Sequence, residues 1–248
     1  MSDSLMQITH RVGHQEPMLP DAVRERLNAL YDEVPGVSCS ACDRPGSCCE
    51  LTQTEFDDDY ATMYPLYAVE YLNVVDYVRT HFDSERQREF LSLSDERPMK
   101  CPFLTDTGGC SIHPARPLTC RTYGVLNEVE QVDAVAEAHK ADMPPFWISA
   151  FLSTERYTVC AQTQLQEPEK LQTHLKAMAS FDYERRMIAL AEDVGVLDKE
   201  RQQVFESITK KEVPTRWTLG GFNVLLLTPI SWLKDNFSSF WKKSFLGE

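Results

Sequence analysis

The stretch CSACDRPGSCC, residues 39–49, places four of the chain's eight cysteines within eleven residues, the last two side by side. Thiolates are soft metal ligands, and the step Cys39-x-x-Cys42 lets two of them turn toward one ion. Zinc sites and iron–sulfur clusters both use that step, although on its own it also describes a thioredoxin-like redox pair. Here Cys48 and Cys49 follow after five residues. Cys101, Cys110 and Cys120 come in a second segment, KCPFLTDTGGCSIHPARPLTCRTYG, and Cys160 stands alone. Seven of the eight therefore sit in two segments rich in Gly and Pro, whereas small core residues would be scattered over the apolar stripes. The pattern points to metal binding through Cys39, Cys42, Cys48, Cys49, Cys101, Cys110, Cys120 and Cys160, with Cys39, Cys42, Cys101, Cys110 and Cys120 the firmest members.

Adjacent side chains tend to point apart, so Cys48 and Cys49 either serve two centres or comprise one ligand and one spare thiol. Eight thiolates would fill two four-thiolate sites, and one such site plus reactive thiols satisfies the count equally. A zinc dication with four thiolates carries a net charge of about -2. Arg44, Lys100, Arg116 and Arg121, all within or beside these segments, can offset such charge or form ordinary surface ion pairs. Pro102, Pro114 and Pro117 fix φ and pre-shape the second segment at low entropic cost. His113 is the one histidine inside a cysteine segment, a candidate further ligand or a structural neighbour. Asp57-Asp58-Asp59 reads as a solvated helix face.

The elements that must position these residues read as helices. After a loose arm over residues 1–18, Val23, Leu27, Leu30 and Tyr31 predict a helix from Asp21 to Val34, stopped by Pro35-Gly36. Thr52 or Thr54 can cap a following helix. The stripe Tyr64, Tyr67, Tyr71, Val75, Val78, Phe82 predicts an amphipathic helix packed on a core, with a short polar helix from Ser84 to Leu93. Later stripes are Leu171, Leu175, Met178; then Met187, Leu190, Val194; then Val204, Phe205, Ile208, with Gly195 between the last two. No internal repeat and no convincing alternating strand is visible. The expected class is mostly α: one helical domain over 19–210 with irregular cysteine-rich metal-binding loops, followed by an aromatic-rich extension over 211–248. In the extension Ile230, Leu233, Phe237, Phe240 and Trp241 share one face of a C-terminal amphipathic helix. That helix is expected to dock on the core or self-associate. An interfacial role is disfavoured by the acidic body, which would oppose binding to anionic lipid.

Composition narrows the function classes. A formal net charge of -13 argues against a nucleic-acid partner, because phosphate neutralisation needs clustered Lys and Arg. The polar start MSDSLMQITHRVGHQEPMLP has no apolar core of a secretory signal. No run of 18 apolar residues exists to form a transmembrane segment. A cytoplasmic, reducing location is expected, where structural disulfides are rare. The chain contains no G-x-G, G-x-S-x-G, H-E-x-x-H or P-loop pattern, so the common nucleotide and hydrolase signatures are absent.

The order of pieces resembles a bacterial family, the YkgJ-type CxxCxxCC cysteine-cluster proteins described as zinc- or iron-chelating. The matching pieces are Cys39 to Cys49, Leu51-Thr52 with Glu55, Cys101-Pro102-Phe103-Leu104, Gly109 to Ile112, Arg116-Pro117, Cys120-Arg121 and Cys160. The resemblance spans about 38–160; His113 stands where that family often has tyrosine. It implies chelation of Zn2+ or Fe, as single ions or an iron–sulfur cluster, without implying a reaction. A related branch, the flagellin lysine N-methylases, implies protein methyl transfer. Three functions follow: a cytosolic metal-binding protein that presents a surface to a partner protein; an iron–sulfur-dependent enzyme such as a protein lysine N-methyltransferase; and a thiol–disulfide redox protein.

Overall fold

The computed structural model describes residues 18–54, 66–91, 99–128, 130–131, 134, 137–138, 140–141, 159–180, 182–194 and 224–225. The expected arm up to residue 17, the Asp57-Asp58-Asp59 run, the stripe Val204, Phe205, Ile208 and the C-terminal amphipathic helix lie outside them. Helix accounts for about 54% of what is described, and strand only for two-residue pieces, so the described part is mostly α.

Helix α1, Asp21–Tyr31, starts after Pro20, whose carbonyl takes the amide protons of Val23 and Arg24. Its buried stripe is Val23, Leu27, Leu30 and Tyr31, as the spacing predicts. It ends three residues before the expected Val34. Pro35 disfavours helical backbone in the residue before it, and the chain leaves through turns in which Glu33 and Val34 donate to Leu30 and Tyr31. Strand β1, Val37–Ser38, follows directly.

Strand β2, Leu66–Tyr67, leads into α2, Ala68–His81. Val69, Tyr71, Leu72, Val74, Val75 and Val78 of α2 are buried. So are Glu70, Asn73 and Asp76, a polar row at steps of three. Buried polar groups are as a rule paired, and this row is apart from Asp76 Oδ1, which has only Arg79 Nη1 at 4.0 Å. Asp76 accepts from the Leu19 amide at 2.7 Å and from Arg24 Nη2 at 2.6 Å, while Asn73 accepts from Arg24 Nη1 at 3.1 Å. Together these fasten the start of α1 to α2. Glu70 serves a different purpose, described below.

Helix α3, Ser84–Leu91, buries Phe90 and Leu91. Phe90 packs at 4.9 Å between ring centres on Phe103 of the second cysteine segment. The five-residue α4 is Leu118–Thr122. Strand β3, Gln164–Leu165, and a 3-10 turn over Pro168–Lys170 precede α5, Leu171–Ala179, and α6, Asp182–Asp193. Leu175 and Met178 of α5 and Tyr183, Met187 and Leu190 of α6 are buried. The interior between these two helices holds His174, whose Nδ1 lies 2.9 Å from the Tyr183 hydroxyl. Helix α6 packs on α1 and α2, and Arg186 makes a forked pair with Glu33, both contacts 2.6 Å.

Strands β1 and β3 pair antiparallel, Val37 with Leu165 and Ser38 with Gln164. Strand β2 pairs in parallel with β4, Val224–Leu225. The one described piece of the expected 211–248 extension thus lies against the entry to α2.

Candidate metal centre

The first cysteine loop leaves β1 at Cys39. The amide of Cys42 donates to the Cys39 carbonyl at 3.0 Å, a turn that sets the two thiols of the C-x-x-C step. Because β1 is paired with β3, Cys39 is brought beside the chain that carries Cys160. Asp43 and Gln162 join the same two segments, with Gln162 Nε2 donating to Asp43 Oδ1 at 2.7 Å and the Asp43 amide to Gln162 Oε1 at 3.1 Å. Cys160 is held from the other side by the hydrogen bond its amide donates to the Leu126 carbonyl at 3.2 Å and by Thr163, whose hydroxyl donates to the Gly124 carbonyl at 2.6 Å.

Cys48 and Cys49 sit in a 3-10 turn, Ser47–Cys49, that begins at Gly46 with φ 86°. A Cβ at Gly46 would lie 2.6 Å from Leu104, and one at Gly108 (φ 79°) would lie 2.4 Å from the Pro45 carbonyl oxygen. Two glycine turns, one from each cysteine segment, therefore pack backbone to backbone. Only glycine accepts both the positive φ and the approach. The contact continues as a short ladder: the Cys101 amide donates to the Cys49 carbonyl at 2.8 Å and the Leu51 amide to Met99 at 2.7 Å. Cys49 and Cys101 are placed in register by it.

Within the second segment Leu104 bridges to Cys110, and the Ser111 amide returns to the Phe103 carbonyl at 2.8 Å. That fold-back sets Cys110 beside Cys101. A 3-10 turn, His113–Ala115, then leads to α4, which carries Cys120. Glu70 fixes α4 from beneath. Its Oε1 accepts from the Leu118 amide at 2.6 Å and from the Tyr31 hydroxyl at 2.8 Å, and its Oε2 from the Tyr67 amide at 3.2 Å. Burial pushes the Glu70 carboxyl up to about 7 against the pull of these donors.

All eight cysteines are free thiols; Cys39 and Cys48 are exposed and the other six partly covered. Cys101, Cys110 and Cys120 pack against the apolar core. Burial raises Cys120 far above the usual thiol range and Cys101 to about 11. The thiols also act on one another. After burial, Cys39 is held up by Cys48, Cys160 and Cys42, and Cys120 by Cys101 and Cys110. Cys48 is the exception: the neighbouring Cys49 thiol donates to its sulfur and holds it down at about 7. The charges of the three cysteine-bearing segments are thus coupled through space, with Cys48 acting on both Cys39 and Cys101.

Among the described residues, no three His, Cys, Asp or Glu side chains form a set that could hold an ion as they stand. Protonated thiols have nothing to draw them together. The donor chemistry suits zinc or iron, eight unpaired sulfurs on adjoining loops, but the side chains do not close into a coordination set. Of the four cations flagged by the sequence, Arg116 is the one that lowers Cys39, Cys48, Cys110 and Cys120. Lys100 pairs with Glu50 at 3.4 Å on the surface. His113 is exposed. Glu70 and Tyr31 were missed by sequence reasoning. The available signal was the polar row Glu70, Asn73, Asp76 on a helix otherwise made of aliphatic and aromatic residues up to Val78.

No helix among the described residues is long and apolar enough to cross a membrane. No curated protein and no solved structure matches the chain. A family model does match over residues 38–140, less than half of the chain, under the description "CxxCxxCC: Putative zinc- or iron-chelating domain". The match takes in seven of the eight cysteines and stops short of Cys160, which β3 returns to the same neighbourhood. Residues 38–140 of this chain are thus similar to the CxxCxxCC family.

Proposed function

We propose that the chain is a zinc- or iron-binding protein whose ligands are drawn from Cys39, Cys42, Cys48, Cys49, Cys101, Cys110, Cys120 and Cys160. The observation that carries this reading is the joining of the cysteine-bearing segments by backbone and side-chain contacts far apart in sequence. These are Cys101 to Cys49, Gly108 against Pro45, and Gln162 to Asp43. A bound metal would supply a covalent-like cross-link among the loops and stabilise thiolate over thiol. The chain's own residues do the rest. The glycine turns and the ladder bring the sulfurs near one another, Glu70 holds α4 with Cys120, and Arg116 offsets thiolate charge. Cys48, already near 7, loses its proton before the buried Cys101 and Cys120, whose protons leave as metal enters.

The test is anaerobic purification followed by elemental analysis and a visible spectrum. Stoichiometric zinc in colourless protein, or iron with sulfide-to-iron absorption in brown protein, supports the reading and separates its two forms. Folded protein with neither metal, whose thiols form a reversible disulfide, supports the thiol–disulfide alternative instead.

A further inference from the structure

Beside the cysteine loops lies a cleft of about 260 Å³. One wall is the end of α1 and the turn after it, from Tyr31 to Gly36; the second is Arg116 and Arg121; the third is Glu167 and Lys170. The third wall balances its own charge. Lys170 pairs with Glu167 and donates to the Asp32 carbonyl at 2.8 Å, and Glu167 also accepts from the Gly36 amide at 2.8 Å.

The arginines are different. Among the described residues neither has a carboxylate ion pair, in a chain with 38 acidic and 25 basic residues. Arg121 is held in place by donation from Nε to the Arg116 carbonyl and from Nη2 to the Pro114 carbonyl, both 2.8 Å, and by its guanidinium carbon 3.9 Å above the Tyr31 ring. Arg116 has a buried Nε with no partner. A guanidinium does not shed its proton, and a buried donor without an acceptor is costly. The held guanidinium of Arg121 and the unpartnered Arg116, both lining one cleft, match the flat, two-oxygen edge of a carboxylate or phosphate. Asp32 also lines the cleft, so its cations outnumber its carboxylates by one.

We propose that this cleft binds a small molecule bearing a carboxylate or phosphate group, gripped by the guanidinium groups of Arg116 and Arg121 beside the cysteine loops. The volume lies just under the usual range for drug-sized ligands, about 300–1,000 Å³, so the ligand is compact. The site stands whether or not the loops hold metal. If they do, Arg116 lies between ligand and thiols and places the oxyanion next to the centre.

The test titrates the full chain with inorganic phosphate and, separately, malonate by calorimetry, with Arg116→Gln and Arg116→Lys alongside. Saturable binding of either probe is expected, weakened at least tenfold by Arg116→Gln and partly restored by Arg116→Lys. The tighter probe assigns the phosphate or the carboxylate class. A measurement free of mutation accompanies it: phenylglyoxal labelling read by mass spectrometry, in which the bound probe slows modification of Arg116 and Arg121. Absence of saturable binding by both probes, binding unchanged in Arg116→Gln, or labelling rates indifferent to both probes overturns the proposal. Metal content of Arg116→Gln, measured on the same sample, separates loss of the oxyanion from loss of the metal centre.

Discussion

The helical body and the cysteine half of this molecule are stabilised in different ways. Helices α1, α2, α5 and α6 bury continuous apolar stripes, and residues such as Leu27, Leu30 and Val75 have no exposed surface. The cysteine half has little of that. It is built from turns, a three-residue ladder, two facing glycines and free thiols, and its buried hydrophobic side chains are few, among them Phe103, Ile112, Ala115 and Leu118. A body of the first kind closes by hydrophobic burial alone, whereas loops of the second kind need another constraint to fix one arrangement. That contrast is what the proposed metal in the loops would answer, and it predicts that the two halves respond separately to perturbation.

The largest effect is expected from metal removal. Chelation, or Cys42→Ser with Cys101→Ser, should speed amide hydrogen exchange at least tenfold over residues 39–51 and 99–121 while leaving α1 and α6 protected. Uniform loss of protection in both halves would erase the distinction between them. The converse perturbation is Leu27→Ala, which removes a fully buried side chain from α1. It should cost about 2–5 kcal/mol in urea unfolding and leave metal content unchanged.

Glu70 joins the halves and gives a pH signature. Its folded value of about 7 lies above the ordinary 4.5, so its contribution to stability is full below pH 4.5 and lost as pH rises through 7. The loss is on the order of 3 kcal/mol. Glu70→Gln, which can still accept from Tyr31 and Leu118, should flatten that part of the stability profile. His174 in the helical body has the opposite sign. Burial lowers it to about 4, so its contribution is present above pH 6.5 and lost as pH falls through 4. Urea titrations from pH 4 to 8 in the wild type and Glu70→Gln separate the two; an unchanged slope in the variant would remove Glu70 from the account. The smallest expected effect is Gly46→Ala. Its positive φ and the approach of Leu104 should cost about 1–3 kcal/mol, read as weaker metal retention in a chelator competition with little change in the helical body.

The helices were legible because their signal is local. Val23, Leu27, Leu30 and Tyr31 fall on one face by spacing alone, and that face is buried. The same habit hid Glu70, Asn73 and Asp76, since an apolar stripe says nothing about polar groups sealed beneath other elements. The cysteines drew attention through their number and types, but what brings their segments together did not. The ladder of 49–51 with 99–101 joins residues fifty apart through backbone groups common to every residue. Gly46 and Gly108 matter through a contact visible only in three dimensions. Cys160 stood alone in the sequence and joins Cys39 through a two-residue strand pair too short to leave an alternating pattern.

The claim that these loops share an inorganic centre is tested most directly by X-ray absorption at the zinc and iron edges of anaerobically purified full-length protein. The account predicts bound metal with a shell of sulfur neighbours at about 2.3 Å, diminished in Cys42→Ser. Metal surrounded by oxygen and nitrogen alone, or folded protein that carries none, would contradict it.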